Sequence, residues 1–102
     1  MNTVWSDCVQ GVETLYLSRA LRFRDALCEQ YMRHFKLKGN ERMLEIGCGP
    51  GALTESLSRW YPDAEIIGTD RDTGFIRFAL GNAPHLRFLE EDATAYPDKL
   101  NN

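Results

Sequence analysis

Glu45, Gly47, Gly49 and Gly51 stand at alternate positions in the stretch Met43-Leu44-Glu45-Ile46-Gly47-Cys48-Gly49-Pro50-Gly51-Ala52-Leu53-Thr54. Three glycines so spaced let the main chain take conformations closed to residues with a Cβ and bring it close to a ligand. A helix opening at about Ala52 aims its unpaired N–H groups and the positive end of its dipole at the same place. From Gly47 to Thr54 there is no Lys or Arg, which excludes a P-loop, because the lysine after the last glycine is missing. The chemistry on offer is therefore a cradle of backbone donors with a carboxylate beside it. It suits a ligand that needs close main chain and a few acids.

The elements that position this turn are legible from apolar patterning. Arg42 to Ile46 reads as a short strand, and the helix after the turn buries Leu53, Leu57 and Trp60. Tyr61-Pro62-Asp63 stops that helix, since proline disfavours helical geometry in the residue before it. Glu65 to Thr69 is mostly apolar without alternation, as in a parallel strand. Strand, helix, strand makes a right-handed crossover unit. Asp72 is a plausible N-cap for a helix with Phe75, Ile76, Ala79 and Leu80 on its apolar face, closed by Gly81-Asn82. A third strand runs from Leu86 to Leu89 or Glu90. Upstream, Phe23, Leu27, Tyr31 and Phe35 recur every fourth residue, with Ala20, Cys28 and Met32 widening the stripe. That spacing predicts one amphipathic helix from Ala20 to Phe35, ended by Gly39-Asn40. Residues 2–19 show no sustained period and read as loop and short helix.

Gly47-x-Gly49-x-x-Ala52 satisfies the dinucleotide pattern G-x-G-x-x-G/A, a weak match taken alone. The whole stretch Glu45-x-Gly47-x-Gly49-x-Gly51 resembles the first motif of the class I S-adenosylmethionine-dependent methyltransferases. Ile66-Ile67-Gly68-Thr69-Asp70 is similar to that family's second strand, and Leu86-Arg87-Phe88-Leu89-Glu90-Glu91-Asp92-Ala93 to its third. The resemblance covers about Ala20 to Ala93. It implies an α/β fold, a Rossmann-like doubly wound parallel sheet truncated to about three strands in the order 3-2-1 with flanking helices. It further implies S-adenosylmethionine as the cofactor, S-adenosylhomocysteine being its product form. Glu45, Gly47, Cys48, Gly49, Asp70, Arg71, Asp92 and Ala93 then become the cofactor-binding residues. Gly47 and Gly49 would seat the methionine and ribose portions, and Glu45 would fix the ammonium end or the turn itself. Asp70 would take the ribose hydroxyls, Arg71 would lie against the adenine, and Asp92 would accept from the adenine amino group beside the backbone of Ala93.

Blander readings stand next to these. Gly51 reads as a packing glycine, the Cys48 thiol as a small filler, Glu90 and Glu91 as solvated charges, and Asp72 as a helix cap. His34 and His85 read as surface residues. In methyltransferases of this fold the segment before the first strand often folds over the ligand, so residues 1–19 are expected as a lid or cap and 20–102 as the partial cofactor domain. Tyr16 and Arg19 are its candidate lid residues. The alternative is that Trp5 and Tyr16 pack on the sheet face.

A chain of 102 residues allows one domain, and 43% hydrophobic with 26% charged residues is ordinary for a globular protein. A net charge of -3, with acids and bases interspersed, gives no basic field for nucleic acid and no polybasic membrane patch. Cys8, Cys28 and Cys48 lack C-x-x-C spacing, suggest no zinc site, and are expected reduced in the cytoplasm. The family's sheet continues in the order 3-2-1-4-5-7-6, and the later elements supply much of the substrate and catalytic apparatus. No residue here is assigned to catalysis, and whether the chain is an enzyme by itself stays open. The far edge of Arg42 to Ile46, paired in the complete fold, is expected to present unpaired backbone and two uncovered apolar faces, favouring a homo-oligomer or a partner chain. Two rivals remain: a nicotinamide or flavin dinucleotide module, and a non-catalytic regulatory subunit that keeps the fold.

Overall fold

Strands β1 (Arg42–Ile46), β2 (Glu65–Asp70) and β3 (Arg87–Glu90) pair in parallel in the order 3-2-1, in a computed structural model that describes residues 11–92. Helices α1 (Val12–Arg22), α2 (Cys28–Phe35), α3 (Ala52–Trp60) and α4 (Thr73–Asn82) accompany them, with a single 3₁₀ turn at Asp25–Leu27. Trp5, Cys8, Ala93 and the tail 95–102 lie outside the described residues.

Register decides which side chains share a face. Met43 pairs with Ile66, and Glu45 with Gly68, which in turn pairs with Phe88. Residues two apart point the same way, so Met43, Ile66 and Phe88 lie on one face. That face carries both apolar clusters. Ile66 packs with Leu57, Trp60 and Tyr61, joined by Tyr31, Met32 and Phe35 of α2. Phe88 packs with Cys48, Ile76, Ala79 and Ala83. Of the two uncovered apolar faces expected for this half-sheet, the helices cover one. On the other, Leu44, Ile46 and Leu89 remain 40%, 55% and 37% exposed.

The Phe88 ring fixes how closely α3 and α4 approach the sheet. A Cβ on Gly51 would come within 2.9 Å of the ring, and one on Gly68 would do the same. Both glycines are therefore slots for this aromatic. Gly51 also has φ +94, so it combines a packing role with a backbone conformation that side chains resist.

The upstream helix differs from its periodicity. Instead of one helix from Ala20 to Phe35, the chain breaks after Arg22, because its carbonyls find tertiary partners. Tyr31 Oη donates to the Arg22 carbonyl at 3.0 Å, and Ser56 Oγ donates to that of Phe23 at 2.7 Å. Trp60 Nε1 and the Arg59 guanidinium donate to Asp25, which holds its carboxyl below the usual carboxylate range. α2 ends at Lys36, which takes the left-handed conformation at φ 54, and not at Gly39-Asn40. Gly39 serves the entry to β1, where its N–H and that of Lys38 donate to Glu41 at 2.8 and 2.6 Å. Within 2–19, expected as loop and short helix, Val12 onward is helical and continues to Arg22. Tyr16 packs on Phe78 of α4, with ring centroids 5.2 Å apart, and not on the sheet. Asp72 caps α4 as expected, accepting from Phe75 N at 3.2 Å.

The two kinds of glycine separate by mutation. Gly51→Ala combines positive φ with overlap on Phe88 and is expected to cost about 3 kcal/mol. Gly47→Ala shares the positive φ but meets nothing within 4 Å, and is expected to cost about 1 kcal/mol. Urea unfolding of the two variants beside the parent chain measures the gap.

Candidate functional site

The glycine turn is latched to the end of β2. Gly47 N and Cys48 N both donate to the Thr69 carbonyl, at 2.8 and 2.9 Å. Gly49 N donates to Asp70 Oδ2 at 3.0 Å, while Asp70 Oδ1 accepts from Asp72 N at 2.9 Å. One carboxylate thereby holds both the turn after β1 and the loop after β2. Each of its oxygens has a further lone pair, so it can still accept from a pair of hydroxyls.

Beyond the carboxyl ends of the strands lies a cleft of about 330 Å³, with Gly47, Asp70, Arg71 and Asp92 in its lining. Its volume falls at the lower end of the range of about 300–1,000 Å³ for small-molecule sites. Ligands in open α/β sheets bind in this position. Ile46, Thr69 and Glu91 complete the walls. Glu91 reads as a solvated charge in the sequence, but its N–H donates to the Asp70 carbonyl at 3.0 Å, which draws it into the cleft.

Glu45 sits behind the turn. It accepts from Thr54 Oγ1 at 2.6 Å, so the first turn of α3 is tied to β1. Burial holds its carboxyl above the usual carboxylate range, with the Asp70 charge adding to the effect and the Thr54 bond and Arg19 charge opposing it. Thr54 carries no signal of its own in the sequence. Its place nine residues after Glu45 becomes meaningful only once α3 folds back along the strand. The guanidinium of Arg19 lies against Gly49, where any Cβ would collide with Nη1.

The Cys48 side chain turns away from the cleft into the apolar cluster and is 2% exposed. Burial, followed by the charges of Glu45 and Asp70, pushes its thiol up to about 12. It is a neutral filler with no nucleophilic character at physiological pH. Of the eight cofactor residues expected from sequence, Gly47, Asp70, Arg71 and Asp92 meet in the cleft. Glu45 and Gly49 build the turn behind it, Cys48 contributes only backbone there, and Ala93 lies outside the described residues.

The methyltransferase domain family matches residues 43–102. This chain belongs to that family. Its members are S-adenosylmethionine-dependent, and the match decides between the methyltransferase and dinucleotide readings of the glycine turn. Trans-aconitate 2-methyltransferase of Yersinia pestis (strain Pestoides F) is 34% identical over 61 residues, covering 60% of this chain and 24% of that protein. The enzyme of the same name from Variovorax paradoxus (strain S110) is 39% identical over 57 residues, covering 55% and 22%. The chain thus spans about a quarter of the length of these curated relatives. Among solved structures, the sugar N-methyltransferase of a Streptoalloteichus species superposes with a TM-score of 0.59 at 21% identity, covering 90% of this chain and 37% of that one. The plantazolicin methyltransferase, in complex with a monoazolic desmethylPZN analog and SAH, gives 0.58 at 27% identity, covering 81% and 34%. Three parallel strands with flanking helices match the Rossmann-like fold of these enzymes. No helix among the described residues is long and apolar enough to cross a membrane.

The raised Glu45 carboxyl sets a pH dependence. Its folded pKa lies above its unfolded one, so the native state holds the proton more tightly. The stabilisation this gives is complete below the unfolded value and is lost as pH rises through the folded one. Glu45→Gln removes that loss while leaving an acceptor for Thr54. The variant is expected to gain stability relative to the parent chain between about pH 4 and about pH 7. Urea midpoints at the two pH values test this, and an unchanged gap contradicts it.

Proposed function

We propose that this chain binds S-adenosylmethionine in the cleft at the carboxyl ends of β1, β2 and β3, as the cofactor half of a methyltransferase. The observation that carries the reading is Asp70, whose carboxylate closes the glycine turn and faces the cleft with acceptor capacity to spare. A cis-diol such as the ribose of the cofactor matches two adjacent carboxylate oxygens. Arg71 stands next to it for the adenine face, and Asp92 lies across the cleft for the adenine amino group. The backbone of Gly47 offers close approach for the remainder. Family membership and the S-adenosylhomocysteine bound to the plantazolicin enzyme support the same ligand. Methyl transfer itself needs chiefly in-line placement of a nucleophile, and the cleft residues are assigned to the cofactor alone. A cytoplasmic location fits Cys28 and Cys48, both of which are free thiols.

Calorimetric titration tests the reading. S-adenosylhomocysteine is expected to bind saturably and NAD not at all. Asp70→Ala removes charged hydrogen bonds worth about 1.5–3 kcal/mol, raising the dissociation constant roughly 10- to 100-fold. A folded parent chain that binds neither compound refutes it.

A specific observation favours a second role for the same molecule, association with another copy or a partner chain. β1 pairs on one side only among the described residues, and Leu44, Ile46 and Leu89 are exposed on the adjoining face. Covering the part of each side chain that remains exposed, roughly half, is worth about 1 kcal/mol. We infer that the Arg42 to Ile46 edge is the contact. Light scattering over a micromolar concentration series is expected to show reversible dimers, weakened by Ile46→Glu. A mass fixed at that of the monomer throughout would sink the idea.

A further inference from the structure

Arg19 reaches the glycine turn from the helix layer, far along the sequence from any motif. α1 that carries it rests on α3 and α4. Tyr16, one helical turn earlier, packs at a tilt on Phe78 of α4, and the Phe23 carbonyl beyond the helix end accepts from Ser56 Oγ of α3. Arg19 lies between these two attachments, so its position is set by packing at both ends. Its guanidinium occupies the space left by the missing side chain of Gly49. From there its charge acts on Glu45 and on Cys48.

The charges gathered at this turn are two carboxylates, Glu45 and Asp70, and one guanidinium. S-adenosylmethionine brings the reverse complement at its amino-acid end, an ammonium and a sulfonium with one carboxylate. The acids suit the two cations but repel the carboxylate, and the turn from Gly47 to Thr54 contains no cation to receive it. Backbone N–H groups cannot substitute fully, because those of Gly47 and Cys48 are taken by Thr69 and that of Gly49 by Asp70.

We propose that Arg19 is the anchor for the amino-acid carboxylate of the cofactor, supplied by α1 to a turn that has no positive charge of its own. The inference rests on the cofactor reading above and extends it to specificity. A planar guanidinium binds a carboxylate through two parallel N–H donors. It therefore selects nucleosides that keep the amino-acid end over those that have lost it. The bare Cα of Gly49 gives the fork its seat.

The test compares S-adenosylhomocysteine with 5′-methylthioadenosine, which keeps the adenosine and thioether but lacks the amino-acid carboxylate and ammonium. Calorimetry is run on the parent chain, Arg19→Met and Arg19→Lys, with circular dichroism to establish that each variant folds. Arg19→Met is expected to weaken S-adenosylhomocysteine roughly 10- to 100-fold while leaving methylthioadenosine within about twofold. Arg19→Lys is expected to fall between, since an ammonium keeps the charge and loses the fork. Equal weakening of both ligands by Arg19→Met would make α1 a cover and overturn the anchor. Tighter binding of either ligand would make Arg19 an obstruction and overturn the anchor as well. A parent chain that binds both compounds equally well overturns the anchor alone, and one that binds neither overturns the cofactor reading and this inference with it.

Discussion

The latch between the glycine turn and the end of β2 is the constraint on which the rest of this structure depends. Gly47 N and Cys48 N converge on the Thr69 carbonyl, and Gly49 N closes on the Asp70 carboxylate. Once these bonds form, the direction of α3 is set, because the helix begins at Ala52 immediately after the turn. The tie from Thr54 to Glu45 then brings the helix back along β1. Asp70 therefore ties the turn to the loop after β2 with one carboxylate while lining the cleft. A carboxylate is suited to this double use, since its two oxygens have about four lone-pair positions and the internal bonds occupy two of them.

Packing beneath the latch is equally economical. Phe88 of β3 reaches across Gly68 of β2 to Gly51 at the head of α3, so one ring spans sheet, turn and helix. The glycines of the turn consequently do different jobs. Gly51 makes room for core, Gly49 makes room for a guanidinium, and Gly47 has open space and lies at the cleft. A pattern of alternate glycines looks uniform in one dimension, and the three environments separate only when neighbouring elements close in.

Charge is distributed with the same asymmetry. Glu45 and Asp70 lie at the turn and Asp92 joins Asp70 in the cleft lining, while Arg42, Glu65 and Arg87 form an exposed row across the strands, with separations of 3.2 and 3.7 Å. Such surface pairs add about 0–1 kcal/mol each. The half-buried Glu45 works in a different regime, where desolvation outweighs its favourable contacts and lifts its pKa. Local dielectric accounts for this difference.

The family resemblance named Asp70 and Asp92, which line one cleft, and the sequence by itself determined the three strands, the helices that follow β1 and β2, the glycine turn and the Asp72 cap. These follow from local rules: strand patterning, helix stop signals and the fact that parallel strands bring their carboxyl ends together. Tertiary structure alone decided the break after Arg22, the left-handed end of α2 at Lys36, the inward turn of Cys48, and the pairing of Thr54 with Glu45. It also decided the arrival of Arg19 at Gly49. The periodicity from Ala20 to Phe35 was a sound helical signal, but Ser56, Trp60 and Arg59 of α3 supply partners for Phe23 and Asp25 that no local pattern encodes. Hydrogen bonds between residues more than thirty positions apart outweigh a propensity difference of a few tenths of a kcal/mol per residue. That is the physical reason the motif was legible and its supporting helix was not.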